Sequence, residues 1–150
     1  MALLEQLEFE EGTRLHAYPD SRGFTTIGTG HNLSAQPNFR GQKIPRTITK
    51  EYNDALLLSD IEETERELEH EWPPVCRLDP VRRDTCIAMA FQLGVDTFME
   101  FKHMRDALTS GRWADATAHA LNSAWARETP ARAKRVASQF QSGEYYEVPK

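Results

Sequence analysis

The sequence predicts an α+β fold, mainly helical, with a small N-terminal antiparallel sheet, a long connecting helix and a C-terminal helical lobe. Three observations predict it. Residues 14–33 are rich in Tyr, Phe, Thr and Ile and are broken by Pro19-Asp20 and Gly23, which is strand composition interrupted by turn chemistry. From Thr49 to about Trp72, the residues Leu57, Ile61, Thr64, Leu68 and Trp72 recur at helical spacing and share one face. Beyond Pro73-Pro74, every segment reads as helix.

The elements follow in order. Residues 2–11 form a short helix with Leu3, Leu4 and Leu7 on its apolar side, and Gly12 stops it. Residues 34–46 are rich in Gly, Pro, Gln and Asn and read as a loop with little regular structure. Thr49 caps the long helix, whose opposite face carries Glu62, Glu63, Glu65, Arg66, Glu67 and Glu69. That face is either solvated or an acidic ligand site. Neither Pro73 nor Pro74 can continue the helix. Asp79-Pro80, an N-cap followed by proline, opens a helix that runs to Gly94. Phe98, Phe101, Met104 and Leu108 stripe one further helix, which ends at Ser110-Gly111. Trp113 to about Ser123 is another, and Thr129-Pro130 opens the last, with Ala133, Val136, Ala137 and Phe140 before Gly143. These stripes read as core. The expected organisation is a single domain: a β-containing lobe at about 12–48, a linking helix at about 49–72, and a helical lobe at about 79–143 together with helix 2–11. A crevice between lobes is the natural place for a polymer.

Composition narrows the function. The net charge of −5 argues against a nucleic-acid protein, since phosphate binding runs on clustered Lys and Arg. No run approaches the ~20 apolar residues of a membrane span, so no membrane insertion is expected. The start, Met1-Ala2-Leu3-Leu4-Glu5, lacks the basic region and apolar core of a signal peptide. Cys76 and Cys86 lie ten apart without Cys-x-x-Cys spacing, and read as reduced apolar side chains or, alternatively, as a disulfide. His16, His31, His70, His103 and His119 show no metal-ligand spacing, so no metal or other cofactor is expected.

The chemistry concentrates in residues 11–31. Glu11-Gly12 precedes Tyr18-Pro19-Asp20, then Gly23, then Thr26-Ile27-Gly28-Thr29-Gly30-His31. Cleaving a glycosidic bond needs two carboxyl groups in different environments, one to protonate the leaving oxygen and one to handle water or the developing cation. An acid at a helix end and another on a hairpin can supply both. The Gly-x-Gly at Gly28 and Gly30 is not a nucleotide loop, because no third glycine and no helix follow. Its job is to let the backbone bend where side chains would clash.

This pattern resembles the phage-type lysozymes and endolysins, glycoside hydrolase family 24, whose T-even phage members share every one of those elements. Further segments look similar: Val81-Arg82-Arg83, Phe91-Gln92-Leu93-Gly94, Arg112-Trp113, Ser123-x-Trp125 and Thr129-Pro130-x-Arg132-Ala133-Lys134-Arg135-Val136. The resemblance implies a lysozyme-like two-lobe fold and hydrolysis of the β-1,4 bond between N-acetylmuramic acid and N-acetylglucosamine, with inversion. It implies Glu11 as general acid, Asp20 as second catalytic carboxylate and Thr26 as the hydroxyl that helps hold the attacking water. His31 and Arg132 would support the site, the first by bracing the hairpin and the second by facing the glutamate. Phe91 and Gln92 would line the substrate groove. Departures fall at residues 34–46, shorter and more irregular here, and at three groove positions. Met104 and His119 stand where T-even members have Ser and Asn, and Asn32 replaces an apolar residue.

The implied partner is bacterial peptidoglycan, met by a monomer made in the host cytoplasm that reaches the wall through a separate pore-forming holin. An acidic chain gains no long-range attraction to an anionic wall. Arg127, Arg132, Lys134 and Arg135 are either solvated or a local positive rim. Three alternatives stand beside phage-driven lysis: a non-catalytic wall-binding protein of the same fold, a lysozyme-fold effector used between bacteria, and a zinc amidase, which the missing ligand spacing opposes.

Overall fold

The computed structural model describes residues 1–149. By internal contacts the chain divides into two compact units, Met1–Glu62 and Glu63–Lys150. In the first, α1 (Ala2–Glu11) leads into a three-stranded antiparallel sheet of β1 (Arg14–Pro19), β2 (Thr25–Gly28) and β3 (His31–Asn32), in that spatial order. A two-stranded ribbon follows, β4 (Asn38–Phe39) with β5 (Gln42–Lys43), and then α2 (Lys50–Glu71), whose later turns belong to the second unit. Helix α1 falls in the first unit with the sheet. Within the first unit Glu8 of α1 lies 3.7 Å from Lys50 at the start of α2.

The core of this unit is Ile27, Leu33, Ile44, Ile48 and Leu56, with Leu15, Ala17, Phe39 and Tyr52 packed against it. Thr49 caps α2, its hydroxyl accepting from the Tyr52 N–H at 3.0 Å. The ribbon corrects the expectation of an irregular loop over 34–46. Arg40 and Gly41 both have positive φ, 53° and 77°, which is the signature of a two-residue hairpin turn whose twist matches its strands. An Arg-Gly pair does not announce that turn as Asn-Gly would.

Three side chains join the sheet to both helices. The hydroxyls of Thr13 and Thr29 lie 3.0 Å apart, and the buried Asn53 of α2 donates its amide to the Thr29 hydroxyl at 3.0 Å. Asn53 reaches this far because Gly28 (φ 66°) has no side chain: a Cβ there would stand 2.3 Å from the Asn53 Oδ1.

In the second unit a 3₁₀ turn (Pro73–Arg77) leads to α3 (Pro80–Leu93), capped by Asp79, which accepts from the Arg82 N–H at 3.2 Å. The expected single helix carrying the Phe98–Leu108 stripe is two, α4 (Val95–Met99) and α5 (Lys102–Thr109). They separate at Phe101 (φ −79°, ψ 59°), where the apolar spacing continues across the break and hides it. After α6 (Trp113–Leu121), a short α7 (Ala124–Glu128), capped by the Ser123 hydroxyl, is a separate helix that the sequence reading did not distinguish. The last helix is α8 (Pro130–Ser142), closed by Gly143 in the left-handed conformation. Helices α6 and α8 pack on each other, and Ala116 and Ala120 of the first and Ala133 and Ala137 of the second are buried. Arg82 closes the unit, donating to the Phe140 carbonyl at 2.7 Å and to the Gln141 carbonyl at 3.2 Å, with its guanidinium 3.9 Å from the Trp113 ring centroid.

Gly28→Ala should cost about 3 kcal/mol, a left-handed backbone penalty plus a disturbed buried hydrogen bond. Gly12 (φ 72°, ψ 153°) lies in a region nearly confined to glycine but meets nothing within 4 Å, so Gly12→Ala should cost about 2 kcal/mol, all of it backbone strain. Thermal melts of the two variants check this, with depressions of roughly 6–12 °C and 4–8 °C expected.

Candidate active site

Glu11 is the last residue of α1. The helix stops there because Gly12 turns away at φ 72° and ψ 153°, a backbone region nearly confined to glycine, its N–H donating to the Glu8 carbonyl at 3.0 Å. The half-buried Glu11 side chain lies over the turn joining β2 to β3. A Cβ at Gly30 would come within 3.3 Å of its Oε2, so the carboxylate occupies space that Gly30 leaves open. The second glycine of the Gly-x-Gly pair thus admits an acid to the sheet, as the first admits Asn53.

Asp20 closes the turn at the opposite end of β2. Its Oδ1 accepts from the backbone N–H groups of Arg22 and Phe24, both at 2.9 Å, while the Asp20 N–H donates to the Phe24 carbonyl at 2.8 Å. These bonds fix the carboxyl plane through one oxygen. Oδ2 takes no hydrogen bond among the described residues.

Thr26 pairs with Tyr18 across β1–β2 and with Asn32 across β2–β3. Asp20 lies two residues beyond Tyr18 and Thr26 two beyond Phe24, so Thr26 and Asp20 are diagonal neighbours on one face, roughly 7–8 Å apart. The Thr26 side chain is 6 % exposed, with its hydroxyl 3.4 Å from the Phe24 carbonyl.

His31 is buried at 5 % exposure. Its Nδ1 lies 2.8 Å from Asp60 Oδ2 and its Nε2 lies 2.8 Å from the Gln36 carbonyl. Both ring nitrogens thus have a partner, and the side chain ties β3 to α2 and to the loop after β3.

Residues 8–139 match the family model described as phage lysozyme. The chain belongs to the phage lysozyme family. Probable T4-type lysozyme 1 of Dictyostelium discoideum is 29 % identical over 95 % of both chains. The pre-baseplate central spike protein of Enterobacteria phage T4 is 31 % identical over 91 % of this chain, a stretch that makes up 27 % of the spike protein. An endolysin of Salmonella phage P22 is 42 % identical over 39 % of each chain. Membership of the phage lysozyme family makes this chain a glycosidase of the lysozyme class, a hydrolase of peptidoglycan.

Of the other positions that the resemblance to phage lysozymes singles out, Asn32 is exposed on β3, its Oδ1 accepting from the Ala35 N–H at 3.0 Å. In the second unit, Phe91 and Gln92 are half-buried near the end of α3, and the Gln92 Oε1 accepts from the Trp125 indole N–H at 2.9 Å. Met104 is 1 % exposed and packs inward with Ala107 and Leu108, so it offers at most the floor of a cleft of about 360 Å³ that it borders with His119. The His119 ring stacks on His103, with centroids 5.4 Å apart. Arg132 is half-buried on α8. Among the described residues no group of three or more His, Cys, Asp or Glu side chains could hold a metal ion. Sequence reasoning missed Asp60, Asn53 and Thr29. Asp60 carries a local signal, since a buried histidine between strands calls for an acidic partner. The other two carry none.

Asp60→Ala should remove the partner of the buried His31 Nδ1 and cost about 1–3 kcal/mol. Urea denaturation measures the loss.

Proposed function

We propose that this chain is a muramidase in which Glu11 is the general acid and Asp20, with Thr26, positions the attacking water. The observation that carries this reading is the placement of the two carboxyl groups at opposite ends of β2, one against Gly30 and one closing the turn at Phe24. Three residue steps of β2 cover roughly 10 Å. That span favours the separation of about 6.5–9.5 Å that leaves room for a water over the roughly 5–5.5 Å of a carboxylate nucleophile.

In the proposed reaction Glu11 gives its proton to the glycosidic oxygen as the C1–O bond breaks. A water held by Asp20 Oδ2 and the Thr26 hydroxyl attacks C1 from the opposite face, and its proton passes to Asp20. The product anomer is inverted, and both carboxyl groups return to their starting states by proton exchange with solvent. Fixing Asp20 through Oδ1 alone supports this role, because the free oxygen then has a set direction. The resemblance alone assigns Asn32, Phe91, Gln92, Met104 and His119 to substrate and Arg132 to support of Glu11. We further propose that the chain works as an endolysin that reaches peptidoglycan through a holin pore; the endolysin relative supports this biology.

Glu11→Gln and Asp20→Asn should each lower lysis of permeabilised cells by about 10²–10⁴-fold while keeping the wild-type melting temperature. A turbidity assay reads this, and a variant that keeps more than about a tenth of the rate removes that residue from its role. Thr26→Ala should lose less. Gly30→Ala should press on the Glu11 carboxylate and cut kcat by about 10²-fold, the scale of a 1 Å misplacement, with KM nearly unchanged.

A further inference from the structure

The first unit carries a second recess that shares no residue with Glu11, Asp20, Thr26 or His31. It is a two-part cleft between the β4–β5 ribbon and the N-terminal half of α2. One part, of about 550 Å³, is walled by Phe39, Tyr52 and Ala55; the other, of about 360 Å³, continues along α2 to Leu58 and Glu62. Phe39, Arg40 and Ala55 border both parts, so the two are consecutive. From Tyr52 to Glu62 the helix advances about 15 Å, room for a few pyranose rings in line.

Three observations say what fits. The walls mix apolar and polar surface: the Phe39 and Tyr52 rings meet edge to face with centroids 5.5 Å apart, Leu58 is 39 % exposed, and Gln42, Thr49 and Ser59 stand among them. Arg40 sits where the backbone asks for Asn or Gly. It is the one non-glycine residue with positive φ among the described residues, and its guanidinium lies 4.8 Å from the Phe39 ring centroid at the junction of the two parts. The rim is also charge-balanced, with Arg40 and Lys43 offset by Glu51 and Glu62. A polyanion would meet the two acids and a polycation the two bases. A neutral polymer with apolar ring faces, hydroxyls and amides meets a partner in each group. Its C–H faces lie on the aromatic wall, its hydroxyl and amide N–H groups donate to the carboxylates, and its carbonyls accept from the guanidinium and the Gln42 amide.

We propose that this cleft is a second, non-catalytic binding site for a chain of N-acetylated amino sugars. It rests on the reading of peptidoglycan as substrate. By holding one stretch of glycan while the catalytic site engages another, it raises the local concentration of cleavable bonds without adding a contact at the bond that breaks.

The test uses the full-length Glu11→Gln protein, labelled with ¹⁵N and titrated with a soluble tetramer of N-acetylglucosamine. Saturable amide shifts at residues 39–43 and 52–62 are expected. The double variant Arg40→Gly with Leu58→Asp should weaken that binding at least fivefold and lower retention on insoluble peptidoglycan at least threefold. Arg40→Gly suits the backbone at that position, and a spectrum unchanged away from the cleft verifies the fold. Shifts absent from residues 39–43 and 52–62, or binding and retention unaltered in the double variant, overturn the proposal. The readout needs no turnover. If Glu11→Gln still lysed cells while the cleft bound the tetramer, the catalytic assignment would fall and the second site would stand.

Discussion

The first unit depends on one buried amide. Asn53 projects from α2 into the turn between β2 and β3, where it hydrogen-bonds Thr29, and Thr29 in turn meets Thr13 in the segment leaving α1. A buried amide of this kind is costly unless its partners are present, and its partners are present only if Gly28 stays bare. The same turn presents Gly30 to Glu11. Helix, turn and acid are thereby set by a single constraint: two missing side chains, one vacated for Asn53 and one for Glu11. The His31–Asp60 pair fixes β3 to α2 a few residues further on, so the sheet meets the helix at two polar points with Ile27, Leu33, Ile44, Ile48 and Leu56 filling the space between.

Much of this architecture was legible in the sequence wherever the cause is local. Gly12 and Gly143 stop helices, Thr49 and Asp79 cap them, and prolines open them, because each acts on its own few residues. Illegible features have causes that lie elsewhere in the chain. Nothing near Asn53 distinguishes it from an ordinary polar residue early in a helix; its partner is 24 residues away. The break between α4 and α5 is masked because Phe98, Phe101, Met104 and Leu108 keep helical spacing on both sides, and no Gly or Pro marks it. The β4–β5 ribbon is masked for the opposite reason, since Arg40 occupies a turn position that usually declares itself with Asn or Gly.

The candidate site follows the same division. Glu11, Asp20 and Thr26 stand out from residue type and offset, because glycosidic chemistry demands particular groups and the hairpin demands turn residues between them. What holds each of them was not readable: the space at Gly30, the two backbone N–H groups on Asp20, the diagonal register of Thr26. In the second unit the residues named with them have their own obligations. Gln92 accepts from Trp125, and Met104 is core. A list of positions carries identity but not availability.

Asp20 illustrates how a residue can serve two masters. Its Oδ1 closes the turn while its Oδ2 takes no hydrogen bond among the described residues, and an amide would supply the first oxygen as well as a carboxylate does. On the role proposed for Asp20, a lineage could lose the enzyme by a single change to Asn and keep the hairpin whole. Such a descendant would still fold and still look like its kin. The two residues differ only by an oxygen and a nitrogen, so retention of the hairpin is evidence of ancestry, and evidence of trade must come from the acids themselves, residue 20 among them.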